Sequence, residues 1–362
     1  MLIYRKHFKN KKIIITGHTG FKGSWLTLCL SLLGAKILGI SKNYPTKPCH
    51  FEDLKFGKKI KHKKLDITNL NRLKKIFKIY QPDYVFHLAA QAIVSKSYDD
   101  PIATFSSNSI GTLNVLESLR SVKKCRAVII TSDKSYKNLE INRGYFENDL
   151  LGGNDPYSGS KGAAELIINS YAKSFFKDKK ITLAIARAGN VIGGGDWSQD
   201  RIIPDCFKSW SKNRKINIRS PHSTRPWQHV LDVVRGYLVL AIKLKNIKLN
   251  NEAFNFGPKN SQNKNVLELV KEMKRNWKNA KWKINKKSRL KNKESNLLKL
   301  NSNKAEKYLN WSPILNFKDS VKFTTNWYKD YFEKGKKLTR SISKNNIIRY
   351  NDILKKKAKI LN

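Results

Sequence analysis

The stretch Ile13–Trp25, IIITGHTGFKGSW, joins three isoleucines to three glycines and then enters an apolar run. Successive β-branched residues favour an extended strand, and the following SWLTLCLSLLG, 24–34, reads as a helix closed by Gly34. A strand that ends in glycines and passes at once into a helix turns backbone N–H groups and the positive helix end toward a pyrophosphate, with no side chains to block its approach. The spacing, Gly17-x-x-Gly20-x-x-Gly23, departs from the Gly-x-Gly-x-x-Gly of many such turns. Its place between a strand and a helix is what makes it a dinucleotide grip. Lys22 has two readings, a charge that neutralises pyrophosphate or an exposed lysine on a turn.

The same rhythm continues outward. AKILGIS (35–41), DYVFHLAA (83–90), CRAVIITS (125–132) and ITLAIARAG (181–189) read as strands, and NLNRLKKIFKIY (69–80), NSIGTLNVLESLR (108–120) and GSKGAAELIINSYAKSFF (159–176) as helices. Continuously apolar strands alternating with helices predict an α/β fold, a Rossmann-type doubly wound parallel sheet. Glycine clusters and less regular segments after residue 188 predict a smaller C-terminal substrate-binding lobe. The expected division is 1–188 for the nucleotide-binding domain, 189–345 for the lobe, interleaved with the first, and 346–362 for a basic tail that frays. The stretch from NKNVLELVKEMKRNW (263–277) onward is expected to be helical.

With 362 residues, 40% of them hydrophobic, the chain can bury a substantial core. Its four cysteines lie far apart with no CxxC pair, against both a disulfide framework and a metal site. The N-terminus lacks the apolar core of a signal peptide, and no segment approaches the length of a membrane span; a cytoplasmic protein without a membrane association is expected. The formal net charge of +46 is the footprint of many nucleic-acid binders. Here the lysines are scattered among Asn and Ile, no nucleic-acid-binding motif accompanies them, and solvated surface lysines are the favoured explanation.

Two segments bear on the cofactor. KLDITN (64–69) sets Asp66 after a strand-like segment, where it either takes hydrogen bonds from an adenine amino group or caps a helix. HLAAQ (87–91) supplies Ala89 and Ala90, small enough for a ribose and nicotinamide to pass. At the end of the second strand, where NAD binders often carry an acid, stand Ser41 and Lys42, a setting that tolerates the extra phosphate of NADP.

The chemistry falls on two further segments. In DPYSGSKGAAE (155–165) Tyr157 and Lys161 are four apart and share a helix face. Lowering a phenol from ~10 to about 7 takes roughly 4 kcal/mol of preference for the phenolate, which a close ammonium and a nicotinamide cation can supply. SDKSYKN (132–138) sets Ser132, Asp133 and Lys134 at a strand's carboxyl end. A hydroxyl, a carboxyl and an amine together can polarise a carbonyl and move two protons, more than a simple alcohol dehydrogenase needs; the plain alternative is a polar cap on a strand end.

TGHTGFKGSW, HLAAQ, TSDKSY, DPYSGSK, RAGNVIGGGDW and RPWQHVLD, in this order over nearly the whole chain, resemble the extended short-chain dehydrogenase/reductase family, in its branch of nucleotide-sugar 4,6-dehydratases. The resemblance implies a retained NAD contacted by Gly17, Thr19, Gly20, Phe21, Lys22, Gly23, Asp66, Ile67, Leu88, Ala89, Ala90, Tyr157 and Lys161. It implies CDP-glucose as substrate, with hydride passing internally from C4 to C6. Tyr157, held by Lys161, would take the 4-hydroxyl proton, Ser132 would bond the forming ketone, and Asp133 would protonate the departing 6-hydroxyl. Lys134 stands where dTDP-glucose enzymes have a glutamate as C5 base, and marks the CDP-glucose branch. Ser132 stands where threonine is more usual. Asn190 and Arg225 are candidates for the substrate diphosphate, with Gly193 to Gly195 allowing close backbone approach, and a surface ion pair is the alternative for Arg225. Trp197 and Trp227 either stack on the cytosine or fill the lobe's core. A homodimer through helices flanking the sheet is implied, as is a place in surface-polysaccharide synthesis. The competing activity is that of a nucleotide-sugar epimerase or reductase, which needs only Tyr157, Lys161 and a hydroxyl.

Overall fold

The computed structural model describes residues 1–176, 180–259, 264–284 and 297–360. Seven strands form one parallel sheet: β1 (Lys12–Thr16), β2 (Lys36–Ser41), β3 (Lys61–Lys64), β4 (Tyr84–His87), β5 (Cys125–Ile130), β6 (Ile181–Ala188) and β7 (Glu252–Phe256). Their order across the sheet is β7-β6-β5-β4-β1-β2-β3. The winding reverses between β1 and β4, and the crevice beyond the carboxyl ends of those two strands is where such folds hold ligands.

The three isoleucines explain why β1 is central. Ile13, Ile14 and Ile15 are all fully buried, so both faces of the strand are covered. Ile13 and Ile15 pack with Trp25 and Leu26 of α1 (Phe21–Leu32), while Ile14 packs with Leu73 and Phe77 of α2 (Leu70–Tyr80) and with Val115 and Leu116 of α3 (Gly111–Leu119). Ile168 and Ala172 of α4 (Pro156–Phe175) join the second layer, and Val233, Val234 and Tyr237 of α5 (Val230–Lys243) join the first. Helix α4 begins cleanly: Asp155 accepts from the Ser158 N–H, and Pro156 occupies the first turn.

Three features bear on the sequence reading. Strand β3, the strand-like segment before Asp66, is KHKK, exposed throughout; it closes the sheet edge with charge and so carries no apolar signal. Strand β7 lies in the central sheet although it comes from well beyond residue 188. Residues 346–360, expected as a basic tail, belong to helix α6 (Thr339–Ile360). Its Ile342, Ile347, Tyr350 and Leu354 are buried, and Asn351 Oδ1 accepts from the Met1 amine and the Leu2 N–H, both at 2.9 Å. An apolar face at helical spacing lies hidden among lysines there. The helical expectation over 285–296 and the last residues, 361–362, lie outside the described residues. Among the described residues no helix is long and apolar enough to cross a membrane.

Candidate active site

The glycine turn is assembled from three different requirements. Gly17 has φ +73°, and a Cβ there would lie 2.5 Å from the Ala89 amide nitrogen and 2.7 Å from the Leu88 carbonyl carbon. Only glycine lets this turn meet the end of β4. A Cβ at Gly23 would lie 2.1 Å from Gly17 O, so Gly23 is what lets α1 start against the turn. Gly20 differs: its Cβ would meet Gly17 O at an ordinary 3.4 Å, and it precedes α1 with no side chain capping the helix. It therefore leaves first-turn amides facing the crevice. Thr19 Oγ1 donates to Asn43 O at 2.8 Å, and Phe21 lies against Gly193. Ile67 is buried over Gly111, packing beneath α3.

At the end of β2 the polar residues are engaged with one another. Lys42 Nζ lies 2.9 Å from Asp66 Oδ2, and Asp66 Oδ1 accepts from the Thr68 N–H at 3.0 Å. Asn69 takes the cap position of α2, accepting from the Arg72 N–H at 3.1 Å. Asp66 is thus a turn residue paired to Lys42, and the capping alternative goes to its neighbour.

Beyond β5, Ser132, Asp133 and Lys134 turn back toward α4. The Ser132 hydroxyl donates to Asp133 Oδ1 at 2.9 Å and accepts from the Lys134 N–H at 3.2 Å. Asp133 is buried, and its Oδ2 has no hydrogen-bond partner among the described residues. Its space exists because residue 189 is glycine: a Cβ there would sit 1.7 Å from Asp133 Oδ2. Tyr157 and Lys161 are both buried on α4, and Ser132 and Asp133 act directly on the phenol.

Burial pushes the Tyr157 phenol above its ordinary value; Ser132 pulls it down, Asp133 raises it, and Arg201 lowers it. The pKa of Lys161 comes down to about 7, through burial first and Lys22 second, against the pull of Glu165.

Several residues stand elsewhere than sequence reading put them. Lys22 reaches into the cleft, its Nζ 3.5 Å from Tyr237 OH; burial and Arg201 bring its pKa down to about 8 against the pull of Asp133. Gly193 and Gly194 make room for Val230 and Trp327, with Cβ clearances of 2.6 Å and 2.0 Å, and Gly195 lies on His50; the close approach is to the protein itself. Trp197 packs among Trp327, Tyr328, Tyr331 and Phe332, and Trp227 Nε1 donates to Lys264 O at 2.8 Å, so both fill the core. Asn190, with φ +46°, and Arg225, in a short strand paired with Lys264–Asn265, are both partly exposed. Arg201 was not anticipated. It is pinned by Asp196 Oδ2 at 3.0 Å and acts on both Tyr157 and Lys22. The only sequence signal was an arginine a few residues beyond the GGGDW glycines.

The model of the family described as GDP-mannose 4,6 dehydratase matches residues 14–324. A CDP-glucose 4,6-dehydratase of Salmonella typhimurium is 40% identical over 337 residues, 91% of this chain and 93% of that protein. Among solved structures, dTDP-glucose 4,6-dehydratase from Bacillus anthracis in complex with NAD superposes with a TM-score of 0.74 at 21% identity, over 91% of this chain and 99% of that one. UDP-glucose-4-epimerase from Stenotrophomonas maltophila, with bound NAD and formylated UDP-arabinopyranose, gives 0.78 at 18% identity, over 90% and 100%. These two establish the shared fold.

Proposed function

The chain belongs to the GDP-mannose 4,6-dehydratase family, and from that membership we propose that it removes water from CDP-glucose to give CDP-4-dehydro-6-deoxyglucose, with NAD as its cofactor. The observation that carries dehydration over epimerisation is the buried Asp133 carboxyl, one oxygen held by Ser132 and the other without a partner, beside the Tyr157 phenol. An epimerase has no use for that second acid. The nucleotide assignment rests on the 40% identical relative and on Lys134.

The residues present fit a dinucleotide. Gly20 leaves α1 amides open to a pyrophosphate, and the Gly17 contact with Leu88 and Ala89 opens the crevice at the sheet's switch point. NAD, when bound, supplies the hydride acceptor and donor. Tyr157 takes the proton of the sugar 4-hydroxyl, Ser132 hydrogen-bonds the C4 oxygen, and Lys161 adds positive charge at the cofactor side. The ketone acidifies C5, whose proton goes to Lys134 in its neutral form, while Asp133 donates to the leaving 6-hydroxyl. Asn190, Arg225 and Arg201 are the candidates to hold the diphosphate and sugar.

The purified protein should convert CDP-glucose to a product lighter by one water, seen by mass spectrometry, and should leave dTDP-glucose and GDP-mannose essentially unchanged. Isomerised CDP-sugar with no loss of water would overturn dehydration in favour of epimerisation.

The protein is also proposed to form a homodimer. Ile102, at 79% exposure, and Leu166, at 63%, with Phe105 and Ile110, are large apolar residues on the mutually packed segments around α3 and α4. Light scattering should report twice 41.8 kDa, and Leu166→Asp should report a single chain.

A further inference from the structure

One buried guanidinium joins the helix that carries Tyr157 and Lys161 to the segment that follows Ser132, Asp133 and Lys134. Glu165, a turn beyond Lys161 on α4, is fully buried; it accepts from Thr131 Oγ1 at 2.6 Å and from Arg187 Nε at 2.9 and 3.0 Å, with Arg187 Nη2 closer still. Arg187, near the end of β6, also donates through Nη1 to Tyr136 OH at 2.6 Å and to Glu147 O at 2.9 Å, and its guanidinium lies 4.6 Å from the centre of the Tyr136 ring. Tyr136 follows the Ser132–Lys134 turn and passes its proton donor to Asn255 Oδ1 of β7 at 2.8 Å.

We propose that Glu165, Arg187 and Tyr136 are positioning residues: together they fix the helix carrying Tyr157 and Lys161 against the turn carrying Ser132, Asp133 and Lys134, with the Glu165 carboxylate one helical turn from Lys161. The two halves of the site come from different elements, so each distance between them depends on what joins those elements. Thr131 adjoins Ser132, Tyr136 closes the same turn, and both are bound to the Glu165–Arg187 pair. A misplacement of about 1 Å between reacting groups can cost roughly a hundredfold in rate.

The charge argument follows from what faces Lys161. Lys22 of α1 is a like charge; His87 of β4 is neutral, buried between Thr16 and Thr112; Tyr157 is a phenol; Arg187 stands behind Glu165; and Asp133 lies across the phenol. Burial and Lys22 disfavour the ammonium, and Glu165 favours it. Without that carboxylate, Lys161 loses its proton at lower pH, and whatever needs the ammonium fails earlier as pH rises.

This deepens the dehydratase reading and rests on it for its kinetic arm; a second arm needs no turnover. The rate at which an amine-acylating reagent labels Lys161, read by peptide mass spectrometry across pH, reports its protonation. In Glu165→Gln the labelling midpoint should fall by about one pH unit or more, the alkaline limb of kcat should move with it, and Glu165→Asp should recover part of the shift. In Tyr136→Phe, kcat should fall roughly tenfold with KM and the labelling midpoint unchanged. A folded Glu165→Gln with wild-type midpoint and pH profile, or a Tyr136→Phe that loses only thermal stability, would overturn the proposal. Removing one member of a buried ion pair can prevent folding; in that event the Thr131→Val/Tyr136→Phe variant, which leaves both charges, decides by its kcat. If the wild-type enzyme leaves CDP-glucose untouched, the dehydratase reading fails while the labelling arm still tests the role of Glu165.

Discussion

Tyr157→Phe should fold and melt like the parent and lose dehydration by roughly three orders of magnitude, the range spanned when a positioned acid–base group is removed. The ring fills a buried site on α4, and phenylalanine fills it equally. What goes is one hydroxyl that faces Ser132 and Asp133. Burial disfavours the phenolate that must take the 4-hydroxyl proton, Ser132 favours it, and a nicotinamide cation would favour it further. Lys161 works from the other side: its pKa of about 7 means that the ammonium present below that pH is lost as pH rises through it. The parent's kcat should therefore fall as pH rises through about 7, and no pH should restore the Phe variant. Mass spectrometry of the product at several pH values checks this. A variant within tenfold of the parent at any pH would remove Tyr157 from the reaction.

How far this could be read beforehand differs from element to element. The isoleucines of β1, the glycine turn and the Asp-Pro start of α4 are local signals, each set by its own few residues, and the alternation they open carries the doubly wound sheet. Strand β3 is marked only as a strand-like segment ahead of Asp66, because an edge strand of lysines and histidine has no apolar face to display. After residue 339 a helix was expected but its packing was not, its buried face being diluted by lysines on the other sides. In the site, Ser132, Asp133 and Tyr157 come together because each sits at a strand end or a helix start that sequence marks. The electrostatic pairings were not legible. Arg201 acts on the phenol and Lys22 on Lys161 from segments far apart in the chain, which no local spacing marks. The glycines Gly193 to Gly195 mislead for a related reason: glycine marks close approach without saying by what, and here the approaching groups are Val230, Trp327 and His50.

Asp133→Asn separates the chemistry of elimination from that of oxidation. Asparagine keeps the shape and still offers Ser132 an acceptor, but it has no carboxyl proton to give to a departing hydroxyl. Water loss from CDP-glucose should fall by about two to three orders of magnitude. The 6-deoxy-6-fluoro analogue leaves as fluoride, which needs far less protonation, so its elimination should fall by no more than a small factor in the same variant. A fluoride electrode and mass spectrometry read the two. Gly189→Ala displaces the same carboxyl: the new methyl would lie 1.7 Å from Asp133 Oδ2, so the carboxyl must swing away from residue 189 and out of its present place. It should reproduce the pattern, slow with hydroxyl and nearly normal with fluoride, while Asp133 itself is intact. Equal losses on both substrates would mean that Asp133 acts before the C6 bond breaks, as a support for Ser132 and Tyr157 and not as the acid for the leaving group. The partnerless oxygen argues for the acid, since a carboxyl kept only to support Ser132 has no need of a second buried oxygen left unbonded.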